Sequence, residues 1–168
     1  DMHLAYLPNA LTGVRLRLSI YGGMREDQEA RIENELKGLH AILGDIIYSD
    51  KDDTLESAIG EILKASGKTL STAESCTGGM ISSLITSVPG SSEYFLGSVT
   101  SYANSVKENV LGVPSEIIEE YGAVSSECVS AMAEGVRQLT GSDYSVATSG
   151  IAGPGGGSDQ KPVGTVWI

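Results

Sequence analysis

From about residue 53 onward the chain alternates short strand-forming runs with runs of helical periodicity, and this constrains its fold more than any other feature. Strands are predicted at 68–74, 94–102, 143–150 and 163–168, with helices near 79–88, 104–111, 114–121 and 126–140. A further helix precedes them: Asp53 with Glu56 three residues on is a capping pattern, Leu55, Ile59, Ile62 and Leu63 form one apolar stripe, and Gly67 ends it. Such alternation implies an α/β sheet covered by helices on both faces, a three-layer α/β/α sandwich.

The first 50 residues follow another pattern. Residues 2–7 are a short apolar run stopped by Pro8 and Asn9, and 14–21 alternate, with Val14, Leu16, Leu18 and Ile20 on one face. Gly22 and Gly23 turn the chain into a helix over 25–43 whose stripe is Ile32, Leu36, Leu39 and Leu43, and 45–49 reads as a third strand. A unit this small has little core of its own and is expected to lean on a neighbour. The charged break Asp50, Lys51, Asp52, Asp53 sets the expected boundary: a small αβ module over 1–52 and a larger domain over 53–168.

Composition narrows the function classes. The net charge of −11 argues against nucleic acid as a main partner, because such complexes draw their affinity from Lys and Arg on phosphates. Residues 1–53 carry ten acidic and six basic side chains and no convincing GxxG clamp, which points the same way. No apolar run reaches membrane-span length, and no basic-then-apolar leader opens the chain, so neither a membrane nor secretion is expected. Cys76 and Cys128 lack CxxC spacing, which fits a reduced, cytoplasmic protein better than a disulfide framework or a zinc site. No metal or other cofactor is expected.

The stretch TLSTAESCTGG at 69–79 carries the strongest chemical signal. It reads as a strand-to-helix turn with Ser75 at its tip, and Gly78 and Gly79 let a ligand approach the backbone. The first N–H groups of the following helix can receive an anion or a developing oxyanion. A tight small-residue corner capped by Thr77 accounts for the same residues. A serine nucleophile needs a base, yet the only histidines, His3 and His40, lie in the first module. Beyond residue 68 the basic residues are Lys107, Arg137 and Lys161. Lys107 falls near the start of a helix that Asn104 would cap, where the helix dipole and partial burial favour the neutral amine that a base requires. Tyr102 could relay a proton or orient that amine. A solvated lysine and an edge aromatic explain the same two residues.

Cys76 should face away from Ser75, because neighbours leaving a strand point to opposite sides, and it reads as a packing residue. Glu74 is either an acceptor behind the site or a surface carboxylate. The run from Thr148 through Gly150, Gly153 and Gly155 to Gly157 follows an apolar strand but lacks GxGxxG and P-loop spacing. Open α/β sheets bind ligands at the carboxyl ends of their strands, so this loop, with Lys161 beyond it, could hold a phosphate or ribose. A plain surface connection is the alternative.

Four stretches resemble the CinA (competence-damage-inducible) family: TAESCTGG at 72–79, SYANSVKENVLGV at 101–113, YGAVSSE at 121–127 and SGIAGPGGGSDQKPVGTVW at 149–167. The family's carboxyl-terminal domain is a nicotinamide-mononucleotide (NMN) amidohydrolase, and residues 1–50 resemble the small KH-like module that precedes it in long members. The resemblance implies hydrolysis of the carboxamide of NMN to nicotinate mononucleotide and ammonia, in pyridine nucleotide salvage, without a metal. Ser75 falls where the family's nucleophile lies, Lys107 where its base lies and Tyr102 where its assisting tyrosine lies. To this we add the expectation that N–H groups of Thr77, Gly78 and Gly79 form the oxyanion hole and that the glycine-rich loop cradles the mononucleotide. The family domain continues with a further strand and a terminal helix, and long members begin with a larger domain, so the resemblance implies a fragment. A homo-oligomer is expected. The competing expectation is a non-catalytic nucleotide-binding or regulatory module associated with competence.

Overall fold

The computed structural model describes residues 2–9 and 13–168; positions 1 and 10–12 of the expected first module lie outside the described residues. The chain divides into two compact units, Asp1–Ala58 and Ile59–Ile168. In the first, strands β1 (Met2–Asn9) and β2 (Gly13–Ile20) pair antiparallel, from Met2 opposite Ile20 to Asn9 opposite Gly13. Leu16, Leu18 and Ile20 are half-buried while Arg15 and Arg17 are exposed, as strand alternation requires. Helix α1 (Arg25–Leu43) half-buries Ile32, Leu36, Leu39 and Leu43 and buries nothing completely.

The strand expected over 45–49 is absent. Gly44–Ile46 form a 3-10 turn in which Ile47 N donates to Gly44 O at 3.2 Å. A β-prone run with no partner strand has no ladder to join, and local hydrogen bonds take over. Helix α2 (Leu55–Ser66) is preceded by Thr54, whose hydroxyl lies 3.4 Å from Ser57 N. Asp53, expected at that position, instead accepts from the Ser49 hydroxyl at 2.8 Å.

The second unit runs β3 (Leu70–Glu74), α3 (Met80–Thr86), β4 (Phe95–Thr100), α4 (Asn104–Leu111), α5 (Ser115–Tyr121), α6 (Ser126–Thr140), β5 (Tyr144–Gly150) and β6 (Val166–Trp167). The strands lie in the order β4-β3-β5-β6, the first three parallel and β6 antiparallel to β5. Across the described residues the architecture is mixed α/β, with two sheets and six α-helices. The last strand is shorter than the expected 163–168. Pro162 has no N–H for a ladder, and Gly164, at φ 94°, turns its own N–H back to Ile151 O at 2.8 Å.

Strand β3 is buried along its whole length and divides its side chains between two clusters. Leu70 packs with Leu63, Ile85 and Tyr94, so α2 and α3 contribute to that cluster. Ala73 and Ala147 pack with Leu111, Val113, Cys128, Val129, Met132 and Val136, supplied by α4, the segment after it and α6. Helices α4 and α6 cross at Gly135, where an added Cβ would lie 1.9 Å from the carbonyl oxygen of Leu111. Only a residue without a side chain lets the helix carrying Lys107 come this near.

Candidate active site

The carboxyl ends of three parallel strands meet at one edge of the second unit: Glu74 of β3 pairs with Thr100 of β4 on one side and Thr148 of β5 on the other. Chain connections leave β3 for β4 and then return to β5 on its far side, so this edge is a topological switch point, the usual ligand crevice of open α/β sheets. Ser75 follows directly on β3, its N–H donating to Thr148 O at 3.0 Å.

Lys107 comes from the first turns of α4 and is 1 % exposed. Its Nζ lies 2.7 Å from Ser101 O, 3.3 Å from Tyr102 O and 3.2 Å from Ser75 Oγ. Burial lowers its pKa from the usual lysine value, against a weaker upward pull from the thiols of Cys128 and Cys76. No ion pair joins Lys107 to a carboxylate among the described residues. As an ammonium, Lys107 donates to all three oxygens; once neutral, it keeps two N–H groups for the two carbonyls and turns its lone pair toward the hydroxyl of Ser75. Ala103, not Asn104, is the cap residue of α4, and no side chain caps that helix.

Tyr102 joins this arrangement through its backbone. The carbonyl oxygen reaches Lys107, while the side chain is 78 % exposed. Ser101, which supplies the nearer carbonyl, is fixed by its own N–H to Glu74 O at 2.8 Å.

The turn after Ser75 differs from expectation in which amides are free. Gly78 and Gly79 have φ of 61° and 99°, the left-handed region, which explains glycine at both positions. Gly78 N donates to Ser75 O at 3.2 Å and Met80 N to Thr77 O at 3.0 Å. Gly79, Ile81 and Ser82 donate their N–H groups to the carboxylate of Glu74, at 3.1, 2.9 and 2.8 Å. The start of α3 is thus occupied from inside the protein. Among the described residues only the N–H groups of Cys76 and Thr77 in this turn donate to no protein acceptor. Glu74 itself is wholly buried. Burial alone would raise its pKa, but the N–H groups of Ser82 and Ile81 and the hydroxyls of Thr77 and Ser82 outweigh that and hold it below the usual value.

The remaining predicted residues support the turn or lie in the loop beyond β5. Thr77 and Thr148 share a hydroxyl hydrogen bond of 2.8 Å, and Thr148 is buried. Gly150 sits against Cys76: a Cβ there would lie 3.1 Å from Sγ and 2.7 Å from Thr165 O. Cys76 is therefore half-buried beside β5 and close enough to influence Lys107. Gly153 is exposed but packs on Val163, where a Cβ would meet Cγ1 at 2.6 Å, whereas Gly155 has open space around it. Lys161 donates its Nζ to Tyr121 O at 2.6 Å, and Ser149 Oγ donates to Ala123 O at 2.6 Å. The glycine-rich loop is thus tied to the end of α5 and the connection to α6. Glu74 is the site residue that sequence reasoning weighed evenly against a surface position. Its signal was a carboxylate ending a strand of small residues just before a glycine-led helix.

Residues 52–168 match the sequence model of the CinA C-terminal domain. Among similar proteins, a CinA-like protein of Cytophaga hutchinsonii is 47 % identical over 167 residues, covering 99 % of this chain and 40 % of that protein. A CinA-like protein of Salinibacter ruber is 48 % identical over 168 residues, covering 100 % and 40 %. The chain spans about two fifths of the length of the curated relatives it matches. Among solved structures, the competence/damage inducible protein CihA of Agrobacterium tumefaciens aligns with a TM-score of 0.66 at 42 % identity, covering 67 % of this chain and 68 % of that one. A CinA superfamily protein from Escherichia coli aligns at 0.66 and 32 % identity, covering 74 % and 76 %. No helix among the described residues is long and apolar enough to cross a membrane.

Proposed function

This chain belongs to the CinA family, and from that premise we propose that its second unit, a three-layer α/β/α domain, hydrolyses the carboxamide of nicotinamide mononucleotide. The observation that carries the reading is the buried Lys107 amine, 3.2 Å from Ser75 Oγ and bonded to two backbone carbonyls rather than to a carboxylate. Such an amine holds the lone pair that a serine nucleophile requires.

Ser75 Oγ attacks the carboxamide carbon while its proton passes to Lys107 Nζ. The N–H groups of Cys76 and Thr77 receive the oxyanion, since those of Gly78 and Gly79 are engaged within the turn. Collapse of the tetrahedral species breaks the C–N bond, and the proton held on Lys107 leaves with the nitrogen as ammonia. Water then attacks the Ser75 ester and gives a proton to Lys107, which returns it to Ser75 Oγ as nicotinate mononucleotide departs. Tyr102 orients the amine through its carbonyl and offers an exposed ring at the mouth of the site. The loop carrying Gly153 and Gly155 is the place for the ribose phosphate. Lys161, bound to Tyr121 O, holds that loop down and keeps two further N–H donors for a phosphate.

The test is ammonia release from NMN by the wild-type chain beside Ser75→Ala and Lys107→Ala. Each substitution should lower turnover by about 10³-fold or more while NMN binding persists. Binding of NMN without ammonia release by the wild type would leave a nucleotide-binding module and remove the hydrolase reading.

A further inference from the structure

We propose that Glu74 is a positioning residue that sets the distance between Ser75 and Lys107 by acting on both sides of the nucleophile turn. The inference rests on the hydrolase reading for its kinetic consequences but not for its geometry. Beyond Ser75, the Glu74 carboxylate gathers three N–H donors at the start of α3: that of Gly79, the residue before the helix, and those of Ile81 and Ser82 in its first turn. Toward Lys107, the main-chain oxygen of Glu74 takes the N–H of Ser101, whose own carbonyl holds Nζ at 2.7 Å. One residue thereby ties the start of α3 and the end of β4 to the position just before the nucleophile.

Strand alternation explains why the charge does no harm there. Leu70, Thr72 and Glu74 form one set of alternate β3 side chains, and Leu70 packs on α3, whereas Ala73, of the other set, packs with residues of α4 and α6. Ser75 continues the Ala73 set toward Lys107. The carboxylate is satisfied by backbone amides on the α3 side and makes no ion pair with the amine. It holds the turn while leaving the amine without a counter-charge. Its hold on the Gly79 amide also confines the free donors to Cys76 and Thr77, next to Ser75.

The isosteric substitution Glu74→Gln keeps the side-chain shape but turns an amide donor toward backbone donors. Displacement of the turn by a fraction of an ångström should lower kcat about 10²-fold, with KM within about threefold, because binding groups elsewhere are untouched. Assays are run well below the variant's Tm, so that loss of folded protein does not enter. Crystal structures of the wild type and variant should show Ser75 Oγ and Lys107 Nζ moving beyond hydrogen-bond reach in the variant, and labelling of Ser75 by a fluorophosphonate should slow in parallel. If Glu74→Gln does not fold, Glu74→Asp, which keeps the charge but draws it back by one methylene, should show the same fall in kcat at constant KM. A folded variant with kcat within about threefold of wild type and an unchanged Ser75–Lys107 separation overturns the proposal. A wild-type chain that leaves NMN intact refutes the hydrolase reading, and the two crystal structures still decide the role of Glu74.

Discussion

Strand β3 has a lysine and a carboxylate at each end, arranged in opposite ways. At its amino end Lys68 and Asp143 pair directly at 2.7 Å, and Asp143 also accepts from the N–H and hydroxyl of Thr69. At its carboxyl end Lys107 and Glu74 are both buried and bond to the backbone rather than to each other: the lysine to carbonyls, the carboxylate to amides. Pairing holds Lys68 above its usual pKa through its hydrogen bond to Asp143. Separation lets burial lower that of Lys107. A carboxylate partner holds a lysine protonated; a buried lysine without that counter-charge gives up its proton more readily, as the proposed mechanism requires of Lys107.

The sharpest way to break this comparison is to replace each lysine by methionine. Lys107→Met should cut turnover by about 10³-fold or more while leaving the protein at least as resistant to urea at pH 7, since an apolar chain replaces an amine that burial disfavours. Lys68→Met should leave turnover within about twofold. Poor folding of Lys107→Met would mean that the amine is needed for structure. The pH dependence follows from the same contrast. The proposed mechanism needs Lys107 neutral, so kcat/KM should rise with pH along a limb centred below 10.5, the ordinary lysine value. The folded pKa of Lys107 is depressed, so the native state binds fewer protons than the unfolded one between that value and 10.5. Stability from this group therefore grows with rising pH across that window. A rate limb absent from Lys107→Met and a matching stability slope in the wild type would confirm both.

A smaller effect is expected from Gly135→Ala, which acts on the seat of α4 without touching the reacting groups. A mid-helix glycine exchanged for alanine ordinarily gains helix stability. Here the new Cβ would fall 1.9 Å from Leu111 O, so α4 must shift or α6 must bend. Overpacking of this kind costs about 1–3 kcal/mol. Turnover should fall by about tenfold if the shift moves Lys107 away from its carbonyls. Urea unfolding and kcat together check it: lost stability with unchanged kcat would mean that α4 yields without carrying the amine along.

The sequence foretold the parts of this arrangement that obey local rules. Helix α1, α4 and α6 fall at the expected residues, because periodic apolar stripes and glycine stops are local signals. Ser75 and Lys107 could be named from the family motifs, and the fold brings them together across 32 positions of sequence. Local rules failed where the outcome depended on partners far along the chain. The 45–49 run formed no strand because no strand among the described residues lies beside it. Of the three amides expected to face substrate, that of Gly79 is claimed by Glu74, five positions earlier, and that of Gly78 by Ser75 O, while among the described residues that of Thr77 donates to no protein acceptor. Tyr102 was expected to act through its side chain, yet its carbonyl is what meets the amine. Lys161 reaches a carbonyl 40 positions away, a contact that no spacing announces.

The smallest expected effect belongs to the amino end of β3, and it sharpens the contrast by being purely a matter of stability. Asp143 has its pKa lowered to about 2, first by the Lys68 hydrogen bond and then by the N–H and hydroxyl of Thr69. A depressed carboxylate contributes stability that is present above its unfolded value of 3.8 and is lost as pH falls through about 2. Lys68, raised by the same pair, contributes below 10.5 and fades as pH climbs past its folded value. Asp143→Asn should therefore lower the urea midpoint modestly on a plateau between these limits, and the difference from wild type should vanish toward pH 2. Both side chains are partly exposed, at 46 % and 34 %, so added salt should shrink the difference further. Turnover should not change at any pH where the variant is folded. A loss of activity in folded Asp143→Asn would mean that the two ends of β3 are mechanically linked, and that the division between a paired structural lysine and an unpaired base is not as local as their hydrogen bonds make it.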